Sequence, residues 1–127
     1  MSQGARRFLV ADDNRDGADT LAMVLRLRGC DVVTAYDGDE AVQLFAASRP
    51  GVVLLDIWMP KRSGYDACRA MRQLPGGRDA VIIAVTGWGQ AQDRLRSLEA
   101  GFDAHLVKPV DHDALAEWLQ DHDRSAH

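Results

Sequence analysis

The chain has 127 residues, of which 46% are hydrophobic and 27% charged, and its net charge is −4. This length allows one domain with a substantial core, and the composition excludes a disordered or fibrous chain. The acidic balance gives no electrostatic footprint for DNA or RNA, so we expect no nucleic-acid partner. No apolar run approaches the ~20 residues of a membrane span, and the first residues lack the pattern of a signal peptide. We therefore expect a cytoplasmic protein without membrane contact, with Cys30 and Cys68 as buried free thiols.

Five short apolar runs bounded by turn-forming residues predict five strands. In chain order they are residues 7–11, 31–35, 51–56, 81–85 and 104–107. The third run is continuously apolar until it ends in Asp56, which is typical of a strand with helices on both faces. The carboxyl end of such a strand opens into the crevice where α/β sheets bind ligands. Asp56 is therefore expected at a candidate site.

Apolar residues at spacings of three and four predict a helix after each strand. The expected inward positions, helix by helix, are Ala18, Leu21, Val24, Leu25 and Arg28; Ala41, Leu44, Phe45 and Ser48; Tyr65, Cys68, Met71 and Arg72; Ala91, Leu95 and Leu98; and Leu115, Trp118 and Leu119. Five strands alternating with five helices predict a (βα)5 α/β fold with parallel strands and right-handed crossovers. We expect residues 1–127 to form a single domain, with a core at about 6–120 and a polar tail at 121–127.

Polar residues follow four of the five strands and should meet at one edge of a parallel sheet. They are Asp12 and Asp13, Asp56, Thr86 and Lys108. Three neighbouring carboxylates raise one another's pKa values unless a cation compensates. A hard divalent ion with oxygen ligands fits this need, so Mg²⁺ is the expected cofactor, with Mn²⁺ as an alternative. Any one of these aspartates, taken alone, is explained equally well as a turn residue or a helix N-cap.

Thr86 and Lys108 add a hydroxyl donor and a long cationic arm to this edge. With Mg²⁺, these groups would orient the oxygens of a phosphoryl group on Asp56, as an aspartyl phosphate requires. A lysine at a strand end can also be simply solvent-exposed. Pro109 favours the functional alternative, because an X-Pro bond supports a rigid turn that aims the Lys108 side chain.

These motifs, taken together over residues 6–120, resemble the receiver domain of two-component response regulators, of the chemotaxis-regulator type. The matching residues are Asp12-Asp13, Asp56 with Met59-Pro60 and Gly64 after it, Thr86-Gly87, Ala100-Gly101 and Lys108-Pro109. The resemblance implies a flavodoxin-like three-layer sandwich whose parallel sheet has the order 2-1-3-4-5. The string at residues 101–110 is most similar to receivers joined to hybrid histidine kinases.

The resemblance also implies a role for each matching residue. Asp56 would accept a phosphoryl group from a phosphohistidine of a histidine kinase or a histidine phosphotransfer protein. The expected Mg²⁺ ligands are Asp12, Asp13, Asp56 and the backbone carbonyl of Trp58. Thr86 would be the switch hydroxyl and Lys108 the phosphate partner. Phosphorylation would then change a surface formed by the fourth helix, fifth strand and fifth helix, which an unknown protein output partner reads.

Three positions depart from the family pattern. Trp58 and Trp88 stand two residues after Asp56 and Thr86, where they either cover apolar loop surface or obstruct the water that attacks the aspartyl phosphate. His105 takes the place of the family's usual Tyr or Phe, and it is either a flat switch residue or a half-exposed strand histidine.

Two other classes of function are weighed against a phosphorylated switch. A phosphohydrolase with an aspartyl intermediate needs a second Asp two residues after the nucleophile, where this chain has Trp58. A plain interaction module would not need the complete set of strand-end polar residues. We therefore expect no enzyme beyond slow self-catalysed phosphorylation and dephosphorylation.

Overall fold

The computed structural model of the chain describes residues 7–86, 99–108, 110, 113, 115 and 117. Within these residues, strands and helices alternate as the sequence predicts. The elements are β1 (Arg7–Ala11), α1 (Arg15–Leu27), β2 (Asp31–Ala35), α2 (Gly38–Ser48), β3 (Val52–Asp56), α3 (Gly64–Arg72), β4 (Val81–Thr86) and β5 (Ala104–Val107). The boundaries of β1, β2 and β5 coincide with those predicted.

The five strands form one parallel sheet in the order β2-β1-β3-β4-β5. The central strand β3 pairs with β1 on one side and with β4 on the other, and all five of its residues are buried. A parallel strand with neighbours on both sides and helices on both faces has no polar face, which explains its uninterrupted apolar sequence. The predicted α/β fold and strand order are therefore confirmed.

The core consists of two apolar layers, one on each face of the sheet. The layer that includes α2 and α3 contains Phe45, Tyr65, Cys68, Met71 and Phe102 together with the residues of the strands that face them. The opposite layer contains Leu21 and Leu25 of α1 and Leu115 from beyond β5. Successive residues of β3 alternate between the two layers, as side chains of a strand must.

Polar side chains cap the three helices at their N-termini. Asn14, Asp37 and Ser63 each accept a hydrogen bond from the backbone amide three residues later. Gly38 is the first residue of α2. Arg28, expected on the inner face of the first helix, is an exposed C-cap residue, since α1 ends at Leu27.

The later helices are described only in part. Glu99 and Ala100 are helical, and Gly101 follows with a φ of +107°, the left-handed conformation of a helix C-cap glycine. Asp113, Leu115 and Glu117 are helical as well. The predicted inward residues of the fourth helix lie outside the described residues. So do Trp118 and Leu119 of the predicted fifth helix and the tail at 121–127. Among the described helices, none has the length and apolar character that crossing a membrane requires.

Neither Cys30 nor Cys68 forms a disulfide, as predicted. Cys68 is fully buried in α3, and burial raises the pKa of its thiol to about 11, so it is not a reactive nucleophile. Cys30, expected to be buried, is only half-buried at the start of β2.

Candidate functional site

Three aspartates meet at the carboxyl edge of the sheet. β1 ends at Ala11, so Asp12 and Asp13 both lie past the strand, and Asp56 is the last residue of the neighbouring strand β3. Each of the three offers a carboxylate oxygen within 4.8 Å of the others. They differ in exposure, because Asp13 is exposed, Asp12 is half-buried and Asp56 is only 4% accessible. The predicted cluster therefore forms, with Asp56 at its base.

The backbone holds the two sides of this cluster at a fixed spacing. The amide of Asp12 donates to the carbonyl of Ala35, which extends the β1–β2 ladder by one bond of 3.1 Å. The Asp12 carboxylate in turn accepts from the amide of Asn14 at 3.0 Å. On the other side, the amide of Trp58 donates to Asp56 Oδ1 at 3.3 Å. Asp12 and Asp56 are therefore both oriented by their own connecting loops.

Asp56 has a perturbed acidity. Burial above all, and then the neighbouring Asp12 carboxylate, raise the pKa of Asp56 to about 6, although the ammonium of Lys108 acts in the opposite direction. The single ammonium of Lys108 lies within reach of two carboxylates. It therefore neither neutralises both negative charges nor offsets the cost of burying them. The site consequently favours additional positive charge near Asp56.

Lys108 supplies the single ammonium that contacts this cluster among the described residues. Its Nζ lies 3.0 Å from Asp12 Oδ2 and 3.2 Å from Asp56 Oδ2. Burial lowers the pKa of Lys108, but the hydrogen bonds and charges of Asp12 and Asp56 outweigh that effect and raise it above its ordinary value. The lysine therefore stays charged at neutral pH. Its backbone amide donates to Thr86 O at 2.8 Å, which fixes the residue at the end of β5.

Thr86 and His105 belong to the adjacent strands β4 and β5. Thr86 is buried at the end of β4, and its hydroxyl donates to the carbonyl of Leu106 at 3.4 Å. His105 is half-buried in β5, opposite Ala84. The structure thus brings Thr86 to the predicted edge, with its hydroxyl directed towards β5.

The loop after β3 carries Trp58. Its indole is 49% exposed and meets the ring of Tyr65 edge-on, with the centroids 6.3 Å apart. The side chain therefore covers part of an apolar surface, one of the two alternatives considered for it, and leaves the second untested. Trp88 and Pro109 lie outside the described residues.

Two polar contacts beside the site were not predicted. Arg15 stacks on the ring of Tyr36 at 4.3 Å, and the hydroxyl of Tyr36 donates to Asp19 at 2.6 Å. The second feature is a pair of basic residues, Lys61 and Arg62, that contact acidic residues of α2. No spacing in the sequence indicates either feature, because the partners belong to different elements.

The three carboxylates fit a bound divalent cation. Their oxygens converge from two adjacent strand ends, and one ammonium balances only part of their charge. Carboxylate oxygens in small number, with room for water on the exposed Asp13 side, are the ligand set that Mg²⁺ prefers. The observation that supports the metal is therefore the donor set itself, together with the raised pKa of Asp56.

Comparisons with known proteins agree with this architecture. The chain is 38% identical over 109 residues to a probable transcriptional regulator, ycf27, of Cyanophora paradoxa, a match that covers 86% of this chain and 44% of that protein. It is 39% identical over 113 residues to the response regulator MprA of Mycolicibacterium vanbaalenii, a match that covers 89% of this chain and 47% of that protein. The chain thus spans less than half the length of these curated relatives.

Solved structures show the same fold. The receiver domain of the sensor histidine kinase PA1611 from Pseudomonas aeruginosa, solved with a magnesium ion coordinated in its active-site cleft, matches with a TM-score of 0.83 and 32% identity over 92% of this chain and 96% of that one. The chemotaxis protein CheY4 of Vibrio cholerae matches with a TM-score of 0.86 and 26% identity over 92% and 98%. Residues 8–120 match the family of response regulator receiver domains. The chain therefore belongs to the receiver domains of two-component signalling.

Proposed function

We propose that this receiver domain is a phosphorylated switch in which Asp56 is the phosphoacceptor. The observation that carries the proposal is the environment of its carboxylate. Asp56 is buried at the end of the central strand, with Lys108 on Oδ2, the Trp58 amide on Oδ1 and two further aspartates alongside. A carboxylate held by donors on both oxygens at the sheet edge can be presented to a phosphoryl donor in one orientation.

Asp12, Asp13, Asp56 and the backbone carbonyl of Trp58 would hold Mg²⁺, with Mn²⁺ as a possible substitute. The bound ion would supply positive charge to the non-bridging oxygens of the phosphoryl group. The PA1611 receiver domain, which has the same fold and a magnesium ion coordinated in its active-site cleft, supports this assignment. So does the convergence of the three carboxylates in this chain.

The phosphoryl transfer itself is a displacement at phosphorus. An oxygen of the Asp56 carboxylate forms the new O–P bond while the N–P bond of a phosphohistidine breaks and its electron pair returns to the imidazole. Lys108 then remains within reach of the phosphoryl oxygens, because its ammonium already contacts Asp56. Its positive charge stabilises the transfer electrostatically.

The switch would begin at Thr86. Its hydroxyl donates a long bond to the carbonyl of Leu106, and such a bond is readily exchanged for one to a charged phosphoryl oxygen. A shift of Thr86 would change its contact with β5, where His105 lies. We propose that this change reaches an output partner through the surface of the fourth helix, β5 and the fifth helix, with His105 following as a flat side chain.

The phosphoryl donor would be a histidine kinase or a histidine phosphotransfer protein, since membership in two-component signalling implies a kinase of this class. A cytoplasmic location and a link to a hybrid kinase remain parts of the proposal. The domain would not be an enzyme beyond slow self-catalysed phosphorylation and dephosphorylation. Trp58 supports this, because its half-exposed indole offers no acid or base two residues after Asp56.

Intact-mass spectrometry tests the proposal. The protein is incubated with Mg²⁺ and acetyl phosphate, and the same incubation is repeated with a chelator and with Asp56→Asn. One phosphoryl adduct per chain that requires both Mg²⁺ and Asp56 supports the switch. Continuous hydrolysis of acetyl phosphate would indicate a phosphohydrolase instead, and the absence of any adduct would indicate an interaction module.

A further inference from the structure

The loop between β3 and α3, residues 57–63, packs against the N-terminus of α2. Two consecutive basic residues of the loop form ion pairs with the N-cap residue of α2, Asp37, and with Asp39 in the first turn of the helix. Lys61 Nζ lies 3.6 Å from Asp37 Oδ2, and Arg62 Nε lies 3.0 Å from Asp39 Oδ1. We call these four residues, together with Gly38 between the two acids, the α2 clasp.

Gly38 permits a backbone approach that no other residue would allow. Its amide donates to the carbonyl of Pro60 at 3.3 Å. A Cβ atom at this position would lie 2.0 Å from the backbone oxygen of Arg62 and 2.6 Å from its Cβ. Because the obstructing atoms include backbone, a side chain at residue 38 would have to displace the loop. The helix and the loop are therefore in direct backbone contact between the two ion pairs.

The loop has a conformation that needs such support. Lys61 has a φ of +71°, in the left-handed region that a residue with a Cβ adopts only at a cost. The amide of Arg62 closes a tight turn onto Pro60 O at 2.8 Å. An exposed ion pair alone contributes little, so the two pairs and the Gly38 contact act together to hold this turn.

The same loop touches the site at its other side. The Trp58 amide donates to Asp56 Oδ1, and Gly64 N donates to Ile57 O at 2.8 Å. A Cβ at Gly64 would lie 2.5 Å from the backbone oxygen of Asp56, so the end of the loop is packed directly on the strand. A displacement at Lys61 and Arg62 is therefore transmitted to Trp58 within a segment of only a few residues.

We propose that the α2 clasp is a positioning device for the metal site: Asp39, Arg62 and Gly38 hold the loop so that the Trp58 backbone stays aligned with Asp56. This inference rests on the function proposed above, because it assumes that Asp56 and the Trp58 carbonyl share a divalent cation. Among the described residues, the two ion pairs of the clasp join the loop to the start of α2 and do not include Asp12, Asp13 or Asp56, so the clasp acts through the loop.

Mg²⁺ affinity measured by calorimetry at neutral pH tests the proposal. The variants are Asp39→Asn, Arg62→Gln and the two combined. We expect each single variant to weaken Mg²⁺ binding by about two- to fivefold, and the double variant to be no weaker than either single one, since both remove the same contact. Arg69→Gln is the matched control, because Arg69 forms a 3.0 Å pair with Asp66 on α3, outside the loop.

A rescue and an exchange measurement complete the test. The charge-reversed pair, Asp39→Arg with Arg62→Asp, should recover most of the lost affinity, which a general loss of packing would not do. Amide hydrogen exchange of residues 57–63 without metal should be faster in Arg62→Gln than in Arg69→Gln. Unchanged Mg²⁺ affinity and unchanged exchange in Arg62→Gln would overturn the clasp. Faster exchange in a protein that binds no Mg²⁺ even when unmodified would instead overturn the proposed metal site.

Discussion

At the residue scale, Asp56 combines burial, two nearby carboxylates and one lysine in a way that makes its charge costly. We predict that Asp56→Asn stabilises the metal-free protein at pH 7 by about 1–2 kcal/mol. The raised pKa of Asp56, about 6, sets an upper limit of roughly 3 kcal/mol on this gain. The measurement is urea unfolding of Asp56→Asn and of the unmodified protein. Equal free energies of unfolding would contradict the predicted cost of the buried Asp56 charge.

The sign of the pH dependence follows from the same raised pKa. Below about pH 4, Asp56 is protonated in the folded and the unfolded chain, so it contributes no difference. As pH rises from about 4 to about 6, the unfolded chain releases this proton first, and the folded state is penalised. The stability difference between Asp56→Asn and the unmodified protein should therefore grow over this range and stay constant above it.

Trp58 has two alternative roles, covering apolar loop surface or obstructing the water that attacks the aspartyl phosphate. We predict that Trp58→Asn shortens the lifetime of the phosphorylated protein by about three- to tenfold, since the indole lies two residues past the acceptor and would obstruct the attacking water. Trp58→Phe, which keeps a flat ring to meet Tyr65, should have a smaller effect. Decay followed by intact mass decides between the alternatives, and unchanged lifetimes would leave the indole as a surface cover. Trp88→Ala tests the second tryptophan in the same assay.

At the scale of elements, Arg72 joins the end of α3 to the parts of the chain on either side of β4. Its guanidinium donates to the carbonyls of Gly77, Ala80 and Gly101 and to the carboxylate of Asp103. Asp103 also accepts from the amide of Ile82, so the same network anchors the start of β4. The Arg72 side chain is only 18% exposed, and two of the residues whose carbonyls accept from it, Gly77 and Ala80, are buried.

Arg72→Met should therefore destabilise the protein strongly. We predict a loss of about 2–4 kcal/mol, because several carbonyls and one carboxylate lose a charged donor while the apolar stem is kept. Arg69→Met, which removes an exposed pair with Asp66 on the same helix, should cost less than about 1 kcal/mol. Chemical denaturation of both variants provides the comparison, and a similar small loss in both would refute a structural role for the network.

The elements were predictable where a single local pattern determined them. The unbroken apolar run before Asp56 indicated a buried strand, and parallel pairing then brought Asp12, Asp13 and Lys108 to the same edge. Contacts between elements were not predictable. Arg72 was expected only as an inward helix residue, and its acceptors lie up to 31 residues away. The clasp partners are also separated by more than 20 residues, and a glycine required by another segment's backbone has no sequence signature.

At the scale of the whole molecule, the proposed metal binding would be coupled to folding, because an ion that binds only the folded state stabilises it. We predict that Mg²⁺ at about ten times its dissociation constant raises the melting temperature by roughly 5 °C at pH 7, through about 1.4 kcal/mol of binding free energy. The increase should be smaller at pH 5, where protonation of Asp56 competes with the metal. Thermal melts with Mg²⁺ and with a chelator measure it, and an equal increase in Asp12→Asn would show binding elsewhere.

The receiver fold places its chemistry at one edge and leaves the rest of the surface for partners. Nearly the whole chain matches the family, while the curated relatives it was compared with are about twice as long. The role proposed for Asp56 therefore concerns only the receiving step, and the output of any larger protein would be determined by additional segments and partners.

The most direct test of Asp56 as the phosphoacceptor is the chemical identification of the phosphorylated residue. The protein is treated with acetyl phosphate and Mg²⁺, the acyl phosphate is reduced with borohydride, which converts a phosphorylated aspartate to homoserine, and the peptides are sequenced by mass spectrometry. We predict homoserine at Asp56 alone, and none after incubation with a chelator. Homoserine at Asp12 or Asp13, or none at any position in a protein with an intact fold, would contradict it.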